Sequence, residues 1–266
     1  MYHHVSPSMG LVTVLPETFD AQMRYLRDAG YAALGADEFL SFLREGALPA
    51  RKAVLITFDD GFLDNYVYAF PILQRYGLRA IIFTVTGWVG QGKPRPCASD
   101  AKPSGLPPTP SHRLCKAALR EGRADDVMMR WSEIRRMEAA GVIEVHSHTH
   151  SHLRWDQEYA KPEDRLLEVG RDLEASQKAL QCHLGRASSH LCWPWGYYEP
   201  GYQALAASTG FHVQYTTGKG PNAPGADPRA IRRVVAKDRA GWWFASRLWI
   251  YRHALLGKIY AKAQKE

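Results

Sequence analysis

The 266-residue chain is 45% hydrophobic and 23% charged, a composition typical of a folded protein with one large domain or two small ones. Its formal net charge of +7 favours anionic partners, but the basic residues are spread along the chain without a helix-turn-helix, zinc-finger or basic-zipper pattern, which argues against nucleic acid. No stretch approaches the roughly 18 uninterrupted apolar residues of a membrane-spanning helix.

Helix-like and strand-like stretches alternate along the chain. Apolar residues at helical spacing predict helices over residues 16–29, 37–44, 64–76, 132–140, 163–182 and 202–207. Short apolar runs predict strands over residues 31–34, 53–58, 80–85, 142–145, 190–192, 211–216 and 231–236. Repeated strand-then-helix units without hairpin signals indicate an α/β fold with a parallel sheet, and about seven or eight strands suit a barrel better than an open sheet.

This alternation stops over residues 87–125. The stretch contains the glycine- and proline-rich segments 90–96 and 103–110. We predict a long irregular insertion, and loops of such length are commonly functional or disordered. Two interpretations stay open here, a lid over a cleft and a flexible excursion.

Two adjacent carboxylates, Asp59 and Asp60, follow the apolar run 53–56, and Gly61 comes next. A short apolar run of this kind indicates a strand that is buried on both faces. Carboxylates at its end are costly to bury unless they are paired or bind a metal. The alternatives are therefore a bound cation, a basic partner or a solvated turn.

A histidine cluster follows the strand predicted at 142–145 and consists of His146, His148, His150 and His152. Two pairs have i, i+4 spacing, namely His146 with His150 and His148 with His152. Either pair could converge on one ion if the segment is helical. Together with Asp60, one pair makes a site of two histidines and one carboxylate with positions open for water and substrate. The alternative is a polar solvated loop.

Three segments resemble, in order, the motifs of the NodB-homology polysaccharide deacetylases. Thr57-Phe58-Asp59-Asp60-Gly61 resembles the first motif. Residues 144–152 are similar to the second, a His-Ser/Thr-x-x-His pattern whose register selects His148 and His152. Residues 191–196 resemble the third, which ends in Pro-aromatic-Gly. The resemblance covers about residues 1–236 and leaves residues 237–266 as a C-terminal segment.

The resemblance implies a distorted (β/α) barrel and a metal-dependent N-deacetylation of an amino sugar. By position it makes Asp60, His148 and His152 the metal ligands and Asp59 the general base. Zinc is the expected metal, with cobalt, nickel or manganese as alternatives.

The third motif is expected to form the substrate side of the site. The backbone N–H of Trp195 would help to hold the oxyanion. The side chains of Trp193 and Trp195 would form an apolar wall for the acetyl methyl group and the sugar face, with Pro194 and Gly196 in the same turn. The alternative interpretation is that these tryptophans are ordinary core residues.

The N-terminal Tyr2-His3-His4-Val5 resembles the Tyr-His of a permuted branch of the family that includes biofilm poly-N-acetylglucosamine deacetylases. This resemblance implies that His3 protonates the leaving amine, with His4 as the alternative, since the usual late Leu-x-x-His strand is missing.

Many family members carry an arginine before the Pro-aromatic-Gly stretch, and this chain has Cys192 there. Arg233, or its neighbour Arg232, is expected to orient the base instead. Cys192 is expected to be a packing residue rather than a metal ligand.

The C-terminal segment 237–266 is rich in tryptophan, leucine and basic residues, and it contains no acidic residue between Arg239 and Gln264. A cationic, tryptophan-rich amphipathic helix favours a membrane interface, whereas the alternative is a terminal helix packed on the barrel. The four cysteines lack CxxC spacing, and the N-terminus lacks the features of a secretory signal. We therefore expect a cytoplasmic protein, at the inner face of the cytoplasmic membrane if the helix binds lipid.

The functional prediction is a metal-dependent N-deacetylase of a lipid-linked N-acetylhexosamine, a lipopolysaccharide or a surface-polysaccharide precursor. Two alternatives remain. One is a hydrolase of cyclic amides or imides, which the same resemblance permits. The other is a non-catalytic barrel that binds glycan or lipid.

Overall fold

The structure is a computed structural model that describes residues 1–263, so the last three residues of the predicted C-terminal segment, 264–266, lie outside the described residues. The strands are β1 (His4–Val5), β2 (Thr13–Val14), β3 (Ala32–Ala33), β4 (Ala53–Val54), β5 (Thr57–Phe58), β6 (Ala80–Thr84), β7 (Ile143–Ser147), β8 (His190–Cys192) and β9 (Val213–Tyr215). The helices are α1 (Pro16–Asp28), α2 (Ala36–Glu45), α3 (Phe70–Tyr76), α4 (His112–Arg120), α5 (Trp131–Ala139), α6 (Trp155–Glu158), α7 (Pro162–Leu184), α8 (Tyr202–Ser208), α9 (Gly241–Arg252) and α10 (Ala254–Ala263).

A five-stranded parallel sheet in the order β5-β6-β7-β8-β9 forms the wall of the fold. The longest pairing joins β6 to β7 and runs from Ala80 opposite Ile143 to Thr84 opposite Ser147. Every residue of β6 is buried, as expected for a strand covered on both faces. The carboxyl ends of these strands meet at one rim, which is where the acidic and histidine motifs follow them.

Two short extended segments close the wall between β9 and β5. Ile231 pairs with Tyr215 of β9 in a parallel bridge. The Met1 ammonium donates to the Val234 carbonyl at 2.9 Å, and Tyr2 pairs in parallel with Phe58 of β5. The predicted α/β fold with a distorted parallel barrel is therefore confirmed, with the chain's N-terminal residues and residues 231–236 as neighbouring parts of the wall.

The helices cover this wall with apolar faces. In α1, Pro16 occupies the first turn, where its missing N–H is not needed, and Phe19, Met23 and Leu26 are buried at helical spacing. In α7, Pro162 likewise begins the helix and Gly185, with φ of 71°, ends it in the left-handed conformation. These helices were predictable because start signal, apolar stripe and stop signal agree.

The structure differs from the sequence prediction in several places. The predicted irregular stretch 87–125 contains helix α4, whose short apolar face includes the buried Cys115 and Ala118. Part of the helix predicted over 64–76 is a π-helical turn, Asn65–Ala69, ahead of α3. The strand predicted over 231–236 makes only the single bridge at Ile231, because beyond it the segment pairs with Met1 instead of β9.

The predicted C-terminal helix is two helices, α9 and α10. His253 leaves the helical conformation with φ of −95° and ψ of 107°, and its Nδ1 donates to the Trp249 carbonyl at 2.7 Å. That bond satisfies a carbonyl at the end of α9, where helices lack backbone partners. Between residues 1 and 263, no helix combines the length and apolar character needed to cross a lipid bilayer.

Candidate metal and catalytic site

The acidic pair lies where β5 ends, and the backbone separates its two side chains. Asp60 has a φ of 71°, a left-handed conformation that is uncommon for a residue with a Cβ, and Gly61 follows with φ of 86°. A Cβ at Gly61 would collide with Thr84. The turn therefore requires glycine, and it directs Asp59 and Asp60 to different partners.

Asp60 converges with two histidines of the second motif. Its Oδ1 lies 3.4 Å from Nε2 of His148 and 3.4 Å from Nε2 of His152. The three ligand atoms all lie within 4.8 Å of one another, and all three residues are buried. Ligands about 2.0–2.2 Å from a tetrahedral ion are separated by about 3.4 Å, so the spacing suits a divalent metal.

The histidine loop is not helical, which corrects one premise of the i, i+4 argument. Thr149 and His152 have left-handed φ values of 66° and 55°. The carboxylate of Asp172 accepts hydrogen bonds from the backbone N–H groups of His150 and Ser151 at 3.0 and 2.9 Å. The loop is thus fixed by an aspartate from α7, which carries no motif signal in the sequence.

The other two histidines are directed elsewhere. His146 belongs to β7, and its Nδ1 lies 2.8 Å from Oγ of Ser188. The Nδ1 of His150 lies 3.0 Å from the Thr86 hydroxyl. Of the two possible pairs, the structure brings only His148 and His152 to Asp60.

The orientation of His148 suits metal binding. Its Nδ1 donates to the Cys192 carbonyl at 2.7 Å, which leaves Nε2 facing Asp60 as the acceptor nitrogen. Second-shell bonds of this kind fix the tautomer of a ligating histidine. Burial opposes its charged form, but Cys192 and Asp60 raise the pKa of His148 well above the usual value. That positive charge is supplied either by a proton on Nε2 or, in its place, by a metal ion, because a ligating imidazole nitrogen must be deprotonated.

The charge balance of the pocket also favours a cation. Asp60 is buried, and its only ion-pair partners in the described chain are the two histidines. Although burial alone would raise it, the pKa of Asp60 is held well below the usual value by the bonds from His148 and His152. Burial lowers the pKa of His152, although Asp60 opposes this shift. An ionised carboxylate with imidazole nitrogens is a donor set that fits a divalent ion.

Asp59 has a separate partner, Arg233. The guanidinium binds both carboxylate oxygens, at 2.5 and 2.8 Å, and both side chains are almost fully buried. Burial would raise the pKa of Asp59, but Arg233 outweighs it and lowers the value to about 2. Arg232 does not take part, because it is exposed and its backbone binds the Asn222 side chain.

Cys192 lies beside this ion pair. Its Sγ accepts a hydrogen bond from Nη2 of Arg233 at 2.9 Å, and the thiol lies 3.7 Å from Oδ2 of Asp59. Asp59, His148 and Cys192 form a second group of potential ligand atoms within 4.8 Å. Asp59 is already paired with a permanently charged side chain, Arg233, whereas the partners of Asp60 are imidazoles.

The two N-terminal histidines face opposite sides of the wall. Tyr2 pairs with Phe58 in parallel, and their rings stack at 5.3 Å on the side away from the site. His3 is therefore opposite Asp59, on the site side. Burial lowers the pKa of His3 below its usual value, although Asp59 and Asp60 oppose this shift, and its Nδ1 is buried with no hydrogen-bond partner among residues 1–263.

His4 has an internal network. Its Nδ1 lies 2.6 Å from Oδ2 of Asp64, its Nε2 lies 3.0 Å from Nδ1 of His112, and its ring stacks on Phe62 at 3.9 Å. This network ties helix α4 of the insertion to the wall of the fold. His112 belongs to a region predicted as irregular, and no sequence signal pointed to it.

The two tryptophans of the third motif differ in exposure. Trp193 is 3% exposed, packs near Tyr202 and donates from Nε1 to Gln214 at 3.0 Å. It is a core residue, so the predicted wall does not include its side chain. Trp195 is 51% exposed, has a left-handed φ of 55°, and its ring centre lies 4.2 Å from that of His152.

The residues around Trp195 explain its position. Pro194 is buried, and Gly196 has φ of 68° at a point where a Cβ would collide with Thr217. The ring centre of Trp88, from the start of the insertion, lies 5.2 Å from that of His152. Trp88 was not predicted as a site residue. The candidate metal triad is thus bordered by two indole rings.

The sequence model of a family described as polysaccharide deacetylase matches residues 47–214. This segment contains Asp59, the three candidate ligands and the third motif, whereas His3 and Arg233 lie outside it. Among curated proteins, YxkH of Bacillus subtilis (strain 168) is 28% identical over 234 residues, which are 88% of this chain and 69% of YxkH. A poly-beta-1,6-N-acetyl-D-glucosamine N-deacetylase of Staphylococcus aureus (strain MSSA476) is 23% identical over 232 residues, 86% of this chain and 69% of that protein.

Solved structures with the same fold include IcaB from Ammonifex degensii, with a TM-score of 0.68 and 26% identity over 89% of each chain. A de-N-acetylase from Aggregatibacter actinomycetemcomitans has a TM-score of 0.71 and 20% identity, and the match covers 93% of this chain and 97% of that one. The second similarity concerns the fold alone.

Proposed function

The chain belongs to the polysaccharide deacetylase family and is a carbohydrate N-deacetylase by that membership, and we propose that it removes the N-acetyl group from an N-acetylhexosamine of a surface polysaccharide or of its lipid-linked precursor. One observation supports this proposal above the others. A buried carboxylate–imidazole triad, Asp60 with His148 and His152, lies next to a second carboxylate, Asp59, which a different residue holds. A metal-assisted hydrolysis of an amide uses an ion site and a carboxylate that is not a ligand of the ion, and this arrangement offers both.

Asp60, His148 and His152 would hold the metal ion, with zinc as the first candidate and cobalt, nickel or manganese as alternatives. When bound, a divalent ion polarises the amide carbonyl and lowers the pKa of a coordinated water. His148 keeps its Nε2 available because Nδ1 is bound to the Cys192 carbonyl.

Asp59 is the proposed general base. Arg233 holds its carboxylate in place and keeps it ionised, so that it can accept a proton from the water that attacks the acetyl carbon. Arg233 therefore acts as a positioning residue. This assignment uses Arg233 where many relatives have an arginine at the position of Cys192.

His3 is the proposed general acid. It donates a proton to the sugar nitrogen as the C–N bond breaks, which yields acetate and a free amine. The support is its register opposite Asp59 and its buried, unpartnered Nδ1 within the described chain. His4 is the weaker candidate, because both of its ring nitrogens already have partners at 2.6 and 3.0 Å.

Trp195 is the proposed substrate-contacting residue of the third motif. Its exposed indole is next to His152, where it can contact the acetyl methyl group or a sugar face, and the backbone N–H of Trp195 is proposed to assist the oxyanion. Trp193, Pro194 and Gly196 would support this turn from below.

The finer substrate proposal is a lipid-linked sugar, such as a lipopolysaccharide or surface-polysaccharide precursor, handled at the inner face of the cytoplasmic membrane. It is supported by the exposed aromatic and basic C-terminal helices and by four free cysteines. The name of the Staphylococcus aureus relative points instead to a poly-N-acetylglucosamine chain as substrate.

Acetate release tests these proposals directly. The substrates would be free, nucleotide-linked and lipid-linked N-acetylhexosamines and short β-1,6-linked oligomers, each with zinc, cobalt, nickel or manganese and with a chelator. We expect metal-dependent acetate release, lost in Asp59→Asn while the metal content is retained. Ring opening of a cyclic imide without acetate release would favour the alternative hydrolase, and ligand binding without turnover would favour a binding protein.

A further inference from the structure

An apolar cavity of about 630 Å³ lies between the barrel wall and helix α9. Its walls come from α2, from β4 and the residues after it, from residues 220–224 and 231–236, and from α9. The volume is in the range of about 300–1,000 Å³ found for small-molecule sites. The cavity is therefore large enough to hold a ligand.

This cavity is distinct from the candidate catalytic site. The metal triad, His3 and Trp195 do not line it, whereas Thr57 and Arg233 border both. Met1 and Tyr2 also line the cavity, so it lies behind the N-terminal segment that carries His3. Occupation of the cavity would leave the catalytic cleft open to its own substrate.

The lining is apolar with charges of one sign only. Its hydrophobic members include Phe42, Leu48, Val54, Leu55, Trp243 and Leu248. Val54 and Leu55 stay only half-buried, although they belong to the wall of the fold. The charged side chains that line it are all arginines, namely Arg51, Arg232, Arg233, Arg247 and Arg252, of which Arg233 is paired with Asp59, and within the described chain no aspartate or glutamate does so. A cavity of this type complements an apolar chain with an anionic end.

The outer surface next to the cavity is also apolar and basic. Large hydrophobic side chains are exposed on α9 and α10: Trp242 at 80%, Leu255 at 71%, Ile259 at 58% and Trp249 at 54%. Lys258 and Lys262 are exposed beside them, and no acidic residue occurs from Arg239 to Ala263. Exposed aromatic and basic residues together are the features of an interfacial helix.

We propose that the cavity binds the hydrocarbon chain of an anionic membrane lipid, with its headgroup at Arg247 and Arg252. Both arginines line the cavity and belong to α9, the helix that also exposes Trp242 and Trp249. A lipid held in this way joins α9 to the membrane that its outer face contacts. The chain of the lipid would also contact the N-terminal segment from behind, at Tyr2.

Binding of 1-oleoyl-lysophosphatidylglycerol below its micelle concentration tests the proposal, measured by calorimetry and by native mass spectrometry. We expect one lipid per chain. Val54→Trp and Ala223→Phe fill the cavity from two walls, and excluding even two methylene groups weakens binding by about tenfold. Arg247→Gln with Arg252→Gln is expected to weaken binding of this lipid by about thirtyfold while binding of lysophosphatidylcholine stays unchanged.

Trp242→Ser with Leu255→Ser is the matched control, since both side chains are exposed and neither lines the cavity. It should reduce binding to phosphatidylglycerol vesicles and leave binding of the single-chain lipid intact. Equal affinity in the wild type and in folded filling variants, or no saturable binding by the wild type, would overturn the proposal. If neither filling variant folds, quenching of Trp243 by a dibrominated acyl chain decides: it should be present in the wild type and lost in Trp243→Phe.

Discussion

The rim that carries the candidate site and the C-terminal helices differ in where their charged groups lie. At the rim, ionised groups are buried and each has a defined partner: Arg233 binds Asp59, and His148 and His152 bind Asp60. On α9 and α10, cations and large apolar side chains are exposed side by side. A buried charge needs a partner in a specific geometry, so we expect function at the rim to depend on single residues. On the helices we expect membrane binding to depend on their overall aromatic and basic composition.

The largest expected effect is at the base. Asp59→Asn should lower kcat by about 10²–10⁴-fold, because the amide cannot accept the water proton. Metal content measured by mass spectrometry should stay near one ion per chain. Asp60→Asn is the matched variant, and it should lose both metal and activity. If both variants lose metal equally, the two neighbouring carboxylates do not divide the roles as proposed.

Removal of the arginine should affect stability most. Arg233→Gln leaves Asp59 buried without its charge partner, and breaking a buried pair in this way costs about 3–5 kcal/mol of unfolding free energy. Arg232→Gln is the control, since that side chain is exposed and the change should cost less than about 0.5 kcal/mol. Urea unfolding of both variants at pH 7 measures the difference.

The same variant has a defined pH dependence. The pKa of Asp59 is lowered in the folded protein to about 2, so the stabilisation from its ion pair is fully present above the unfolded value of about 4 and is lost as pH falls between them. The stability difference between wild type and Arg233→Gln should therefore shrink as pH falls from about 5 toward 2. A constant difference over this range would contradict a depressed pKa.

The two N-terminal histidines should separate activity from stability. His3→Ala is expected to lower kcat by about 10²-fold or more with little change in unfolding. His4→Ala removes the side-chain partner of Oδ2 of the buried Asp64 and should cost about 1–3 kcal/mol of unfolding free energy. The reverse result would make His4 the acid.

The smallest effect on folding is expected at the helices. Trp242→Ser with Trp249→Ser should change the unfolding free energy by less than about 0.5 kcal/mol, because both side chains are exposed. Sedimentation with phosphatidylglycerol vesicles should nevertheless fall sharply. Leu167→Ser is the control, since Leu167 is 53% exposed but belongs to α7 and not to α9 or α10. Unchanged sedimentation of the double variant would contradict membrane contact.

The rim was largely predictable, because its residues follow strand ends and a parallel fold brings strand ends together. The motif register was sufficient to select His148 and His152, and Arg233 was reached by asking what replaces the missing arginine. The left-handed residues Asp60 and His152 were not foreseen, since nothing local identifies a non-glycine residue that the tertiary structure holds in that conformation.

Other features depend on contacts between distant residues. Trp193 and Trp195 are two positions apart, and only packing against Tyr202 and His152 distinguishes the core residue from the exposed one. Helix α4 was not predicted because it follows a proline-rich stretch, and only the contact with His4 identifies His112 as part of a network. The break between α9 and α10 depends on the conformation of His253, which the apolar periodicity does not reveal.

The closure of the wall has a consequence for the order of folding. The bond from Met1 to Val234 joins residues 233 positions apart, and Asp59 and Arg233 are 174 apart. Contacts this distant carry a large loop-closure entropy, and we expect them to form late. Asp60, His148 and His152, with Asp172 and Cys192 that hold the histidine loop and His148, require only the part of the chain from β5 to β8. A folding chain should therefore gain the ability to capture metal before the two ends meet, and turnover should begin only when they do.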